Sequence, residues 1–265
     1  MLRIVDRGVI SSRRGLGAYM PTIAPLADGT WVAAQHVGQS LGSSDNHIEF
    51  LISRDEGATW ENRGSIHGSE GPDERYTYRA PKIVAVPDGR LLISADRYPQ
   101  NTDALFDLES ETLSRSEMLL IWSKDRGETW AEPQIVPVDL PPERYSWNGT
   151  GPVLQVNPNR WIYTLETWKP EGYEGPPDQK SVAVFSADGG QTWGELTATA
   201  DDPGNRLMYY DQMGAVLPDG RVCILLWTHL DGTSEDLNNH WVVSSDEGRA
   251  WSAPKPTKGS AINKY

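Results

Sequence analysis

The sequence predicts an all-β protein in which four-stranded antiparallel sheets recur along the chain as the blades of a propeller. Two observations predict it. The first is an eight-residue pattern, Ser-x-Asp-x-Gly-x-Thr-Trp, which begins at Ser53, Ser123, Ser186 and Ser244, with Ala250 replacing the Thr in the last copy. Its aspartates, Asp55, Asp125, Asp188 and Asp246, lie 70, 63 and 58 residues apart. A fixed turn at that period means one supersecondary unit used repeatedly. The second is a motif ahead of each octapeptide, two apolar runs joined by a turn: PTIAPLADGTWVAAQ, PKIVAVPDGRLLISA, GPVLQVNPNRWIYTL and QMGAVLPDGRVCILL. Asp28-Gly29, Asp88-Gly89 and Asp219-Gly220 are hairpin dipeptides, and Asn159 holds that place in the third copy. Helical spacing is essentially absent.

Each repeat then reads in the same order. Two strands flank the Asp-Gly turn, a third (HIEFLIS, EMLLIWS, SVAVFSA, HWVVSSD) leads into the octapeptide, and a fourth follows it. The repeats span about 17–65, 76–135, 147–198 and 208–256 within a single domain, 1–265. Propellers that carry octapeptides similar to these usually have six blades, and that resemblance implies an incomplete six-bladed propeller lacking roughly two, with a closed ring of four blades as the rival. The segment LRIVDRGVIS reads as a strand outside the repeats.

In the octapeptide, Asp can accept hydrogen bonds from backbone N–H groups just ahead, Gly supplies a positive φ, and Trp anchors neighbouring units. Asp55, Asp125, Asp188 and Asp246 are therefore read as structural. The Asp-Gly turn and the octapeptide fall at one end of each sheet. Function is expected at the other end, among the loops that lead into the first strand or follow the second.

That end is richest in the second repeat. Tyr78 and Arg79 open it, Asp96 and Arg97 close its second strand, and a long loop from Pro99 carries Asp103, Asp107, Glu109 and Glu111. Arg79 and Arg97 facing one pocket would grip an acidic sugar through their planar forks. Asp103 is the proton donor of choice, lying nearest the strand end. The third repeat offers Tyr145, Trp147, Glu166 and Trp168, and the fourth Tyr209, Tyr210, Asp211 and His229. A Tyr beside a carboxylate becomes a nucleophile when the carboxylate takes its proton. Tyr210 with Glu166 is the favoured pair, since Tyr210 and Asp211 are neighbours on a strand and point to opposite faces. Tyr78, Trp147, Asp96, Asp211 and His229 complete the candidate sugar-binding set.

Composition narrows the partners. Lys and Arg number 24 against 37 Asp and Glu, a net charge of −13. That excludes a general affinity for nucleic acid or an anionic membrane surface. Eleven Trp and ten Tyr against three Phe suit strands and sugar-stacking sites. The lone Cys223 leaves no intrachain disulfide and no zinc spacing, so neither a metal nor a cofactor is expected. No run reaches the length of a membrane span, and the start MLRIVDRGVISSRR has no leader-like apolar stretch; a soluble protein is expected.

The four octapeptides are similar to the Asp-box, or bacterial neuraminidase repeat, of the sialidase family, and the resemblance covers nearly the whole chain. It implies a retaining glycoside hydrolase with a tyrosine nucleophile. Tyr78-Arg79-Ala80-Pro81 resembles the family's Phe-Arg-Ile-Pro segment, whose Arg binds the substrate carboxylate. Arg97 resembles the basic residue that follows it, and Asp103 falls near the family's acid/base aspartate. The first repeat has Tyr19-Met20-Pro21 without Arg, and Trp227 stands near where another Arg is expected. The leading expectation is an exo-acting, sialidase-like hydrolase of terminal sugars, acidic ones included. The alternatives are a non-catalytic carbohydrate- or protein-binding propeller, and a polysaccharide lyase using Tyr210 with His229.

Overall fold

The computed structural model describes residues 7–12, 14–66, 76–100, 105–107 and 109–258. They are all-β, with no helix among them and hence none that could cross a membrane. The chain forms two compact units, one of Met1–Asp103 with Leu120–Gln134, the other of Ala104–Leu119 with Ile135–Tyr265.

The first sheet runs β1 (Gly17–Pro25), β2 (Trp31–Gly38), β3 (His47–Ser53) and β4 (Glu61–Ser65), in that spatial order. The second comprises β5 (Tyr76–Ala85), β6 (Leu91–Pro99), β9 (Glu117–Ser123) and β10 (Gln134–Val136), again as a meander. Between β6 and β9, the long loop forms a small hairpin of β7 (Phe106–Asp107) and β8 (Thr112–Leu113). The third repeat supplies β11 (Ser146–Asn148), β12 (Val153–Gln155), β13 (Trp161–Pro170), β14 (Ser181–Ser186) and β15 (Gly194–Ala200). The fourth sheet is β16 (Leu207–Val216), β17 (Val222–Leu230), β18 (His240–Ser244) and β19 (Lys255–Pro256).

The third repeat departs from the expected meander. Its first strand is split into β11 and β12 by Gly149–Pro152, and β8 joins the far end of β13 in parallel, making seven strands. Asp107, Glu109 and Glu111 thus sit on a hairpin fixed to a sheet. Of the expected strand LRIVDRGVIS, residues 2–6 lie outside the described residues, and 7–11 are not a strand. This segment meets the first sheet through a side chain, Gln35 Nε2 donating to Ser11 Oγ at 2.7 Å.

The octapeptides close as their chemistry requires. In the first, Asp55 accepts from Thr59 N (2.8 Å), Thr59 Oγ1 (2.6 Å) and Ser53 Oγ (2.8 Å), and Ser53 Oγ accepts from Gly57 N. Asp125 and Asp188 repeat the pattern, and Asp246 keeps the bonds from Ala250 N and Ser244 Oγ. Bonds from the Thr hydroxyl and amide, then Ser, hold Asp55, Asp125 and Asp188 down to about 2. A carboxyl so acidic has no proton to give near neutrality, which suits scaffold rather than acid catalysis.

The glycine of the turn also does packing. Gly127, at φ 90°, sits so close to Phe50 that a Cβ there would meet its Cε1 at 2.3 Å. Gly127→Ala is expected to lower unfolding stability by about 1–3 kcal/mol, from the strained φ and the overpacked ring together. A denaturant midpoint equal to that of wild type would refute this.

In the second unit, Leu154, Ile162, Ala183 and Phe185 of the third sheet cluster with Val222, Val216 and Trp251 of the fourth repeat. By register, Ala215, Cys223, Trp241 and Val243 stand at the matching places of the fourth sheet. They are exposed or half-exposed, and β17 alternates buried and open where β13 is buried throughout most of its length. The fourth sheet is therefore covered on one face only among the described residues.

Candidate functional site

A bulge recurs in the first strand of the repeats, at the end away from the Asp-Gly turn. Register slips between Tyr19 and Thr22, Arg79 and Lys82, and Tyr210 and Met213. In each slip a non-glycine residue takes positive φ: Met20 (48°), Ala80 (50°) and Asp211 (42°). Bulges re-aim side chains and recur beside active sites. Directly before each bulge a residue faces one partner on the second strand: Tyr19 with His36, Arg79 with Asp96, Tyr210 with Trp227, and in the split strand Asn148 with Glu166. Directly opposed residues share a face of the sheet.

In the first unit, Arg79 and Asp96 are both buried on one face. Burial first, then the Arg79 guanidinium, push His36 down to about 3, so its imidazole stays neutral. His36 stacks on Tyr19 at 5.3 Å and accepts from Ala80 N at 3.4 Å. Arg97 is opposite Tyr78, and its guanidinium carbon lies 4.0 Å from the Tyr76 ring centroid. The expectation that Arg79 and Arg97 face one pocket is thereby corrected: their register positions differ by one residue, which puts them on opposite faces. Asp103 lies outside the described residues.

In the second unit, Tyr210 and Glu166 are brought into one constellation. Met208 and Tyr210 on β16, and Trp227 and His229 on β17, share a face by alternation. The Tyr210 ring lies 4.9 Å from Trp168, 5.8 Å from Trp227 and 6.4 Å from His229, centroid to centroid. Phe106 from the β7–β8 hairpin meets the Trp168 ring edge-on at 5.3 Å. The Tyr210 hydroxyl donates to Met208 Sδ at 3.0 Å. Burial first, then the negative charges of Glu166, Glu111, Asp231 and Asp236, raise the Tyr210 phenol well above its ordinary value of 10. The phenol therefore stays protonated across the neutral range.

Glu166, 1% exposed, is the hub. It accepts from Asn148 Nδ2 (3.1 Å), Trp168 Nε1 (3.1 Å), Thr150 Oγ1 (3.3 Å) and the backbone N–H of Asp211 (2.6 Å). One carboxylate thus orients the Trp168 indole and pins the Asp211 bulge behind Tyr210. Asp211, a candidate sugar-binding residue by sequence, enters this network through its backbone N–H. Gln212 extends the tie, its amide N–H donating to Thr150 Oγ1 at 3.2 Å and its side chain to the Leu165 carbonyl.

His229 is held at both nitrogens, Nδ1 against Asp236 Oδ1 at 3.0 Å and Nε2 donating to the Thr233 carbonyl at 2.8 Å. Asp236 also accepts from Trp227 Nε1 at 2.9 Å. Both ring nitrogens thus lie against protein oxygens, which fixes the orientation of the ring. Trp147 pairs with Thr167, on the other face from Glu166 and Trp168. Sequence reading named Trp168, Trp227 and Glu111 without assigning them to the site, and missed Phe106, Asn148, Thr150 and Asp236. The signal for two of them was the alternation Glu166-x-Trp168 and Trp227-x-His229.

A cleft of about 190 Å³ opens beside Tyr210, floored by Trp168 and Met208 and walled by Phe106 and Glu111 of the hairpin. No group of His, Cys, Asp and Glu able to hold a metal ion occurs among the described residues.

No family model matches the chain. It is 27% identical over 216 residues to a sialidase of Micromonospora viridifaciens, a match covering 71% of this chain and 30% of the relative, so the chain spans about a third of that protein. Among solved structures, a protein of unknown function from Dyadobacter fermentans superposes with a TM-score of 0.74 at 19% identity, covering 97% of this chain and 74% of that one. The α-L-arabinanase of Penicillium chrysogenum, solved with arabinobiose, gives 0.62 at 18% identity, covering 86% and 63%. In repeated octapeptides, in sequence and in fold, this chain is similar to the Asp-box, sialidase-like glycosidases.

Proposed function

We propose that the chain is a sialidase-like glycoside hydrolase whose repeats are the blades of a propeller, and that it removes terminal sugars from glycans. The observation that carries this is the Tyr210 ring beside an aromatic cleft, packed on the Trp168 indole that the buried Glu166 holds while it also binds the Asp211 amide next to Tyr210. In this reading the Tyr210 oxygen attacks the anomeric carbon while its proton passes to Glu166. The glycosidic oxygen departs with a proton from a carboxylic acid. Water then attacks the anomeric carbon, its proton passing to the carboxylate that served as acid, while Glu166 returns the other proton to the departing Tyr210 oxygen, and the sugar leaves with its configuration retained.

The test is release of 4-methylumbelliferone from a panel of fluorogenic glycosides, with trapping by the matching 2-fluoro sugar. Turnover with the label on the Tyr210 peptide is the expected result. Binding of glycans without release or label would replace the hydrolase by a non-catalytic carbohydrate-binding module, for which the aromatic cleft is also suited.

A further inference from the structure

The cleft has the charge of a site that avoids anions. Its floor is aromatic and apolar, Trp168, Tyr210 and Met208, and two uncharged polar side chains, Thr112 and Gln179, line it. Its charged lining is Asp107 and Glu111, with no Lys or Arg among the described residues. Asp107 is held ionised by the Ser110 hydroxyl and the Glu109 and Ser110 amides, which lower its carboxyl. Glu166 lies beneath, and Asp236 is bound to Trp227 and His229 alongside. The loop that carries the hairpin, PQNTDALFDLESETLSRS, has four acids and one Arg, and Arg115 donates to the Pro142 carbonyl at 3.1 Å. At about 190 Å³ the cleft is smaller than the roughly 300–1,000 Å³ of sites for drug-sized ligands, which matches one sugar ring.

We propose that this cleft selects a single uncharged sugar ring and rejects its carboxylated counterpart. This rests on the sugar-binding reading of the same cleft and deepens it. The apolar face of a sugar stacks on Trp168 and Tyr210, and its hydroxyls have Thr112, Gln179, Asp107 and Glu111 to bond. Replacing a hydroxymethyl by a carboxylate sets like charges together in a partly dry site, where they repel strongly. A sugar that carries its acid as its identifying group is the poorest fit.

The test compares methyl galactoside, glucoside and arabinofuranoside with methyl galacturonide, glucuronide and N-acetylneuraminic acid, titrated into the purified full chain and read by tryptophan fluorescence. A neutral glycoside is expected to bind at least about tenfold more tightly than its own uronide at low salt. That gap is expected to shrink at least about threefold in Glu111→Gln, and again at 0.5 M salt, where screening is within a few ångströms. Equal or tighter binding of the acids, a gap that neither change moves, or no binding of any neutral glycoside would overturn the proposal. Selective neutral binding without turnover leaves this inference standing and removes the hydrolase, whereas turnover of acidic sugars alone does the reverse.

Discussion

Tyr210→Phe is expected to lower turnover of the best glycoside at least about 1,000-fold, some 4 kcal/mol of barrier, while changing glycoside affinity less than about threefold. The ring that stacks against Trp168 and Trp227 remains; only the attacking oxygen goes. Stability should fall little, because that hydroxyl's bond is to a weak acceptor, Met208 Sδ. The raised phenol shapes the pH response. Burial and four neighbouring carboxylates keep Tyr210 protonated across the working range, so no activity should appear from its ionisation as pH rises toward 10. Steady-state kinetics beside direct binding measurements separate the cases. A variant that turns over within tenfold of wild type excludes Tyr210 as nucleophile.

Glu166→Ala is expected to cost about 2–4 kcal/mol of folding stability and to abolish turnover. Four donors lose their acceptor at once, among them a backbone N–H in the positive-φ bulge at Asp211. Buried donors without partners carry the full loss of their hydration. Glu166→Gln keeps the volume but sets an NH2 against at least one donor, so it should fall between wild type and Glu166→Ala. Urea unfolding gives the stability, and the emission of Trp168 reports its loosened indole. If Glu166→Ala unfolds at the wild-type midpoint, the carboxylate is not what holds the bulge in place.

Much of the sheet pattern was legible residue by residue. Asp-Gly turns joined β1 to β2, β5 to β6 and β16 to β17, and each octapeptide ended its third strand, because turn chemistry is local. The reading of Tyr210 with Glu166 rather than Asp211 also came from a local rule, strand alternation. The same rule, applied to Arg79 and Arg97, needed the register across β5 and β6, and that depended on a bulge. A bulge with non-glycine residues at positive φ leaves little trace in sequence: Met20, Ala80 and Asp211 have no residue type in common. The β7–β8 hairpin was missed for another reason. Its parallel pairing with β13 joins residues more than 50 positions apart.

The sequence by itself determined the repeat, its turns, and the structural standing of Asp55, Asp125, Asp188 and Asp246, since each rests on hydrogen bonds that close within a few residues. Only the tertiary structure decided the site. Glu166 draws its four donors from three strands or their bulges, Tyr210 its ring neighbours from two, and the cleft its acidic wall from a distant hairpin. Contacts of that kind are fixed by register and packing, which spacing along one chain does not encode.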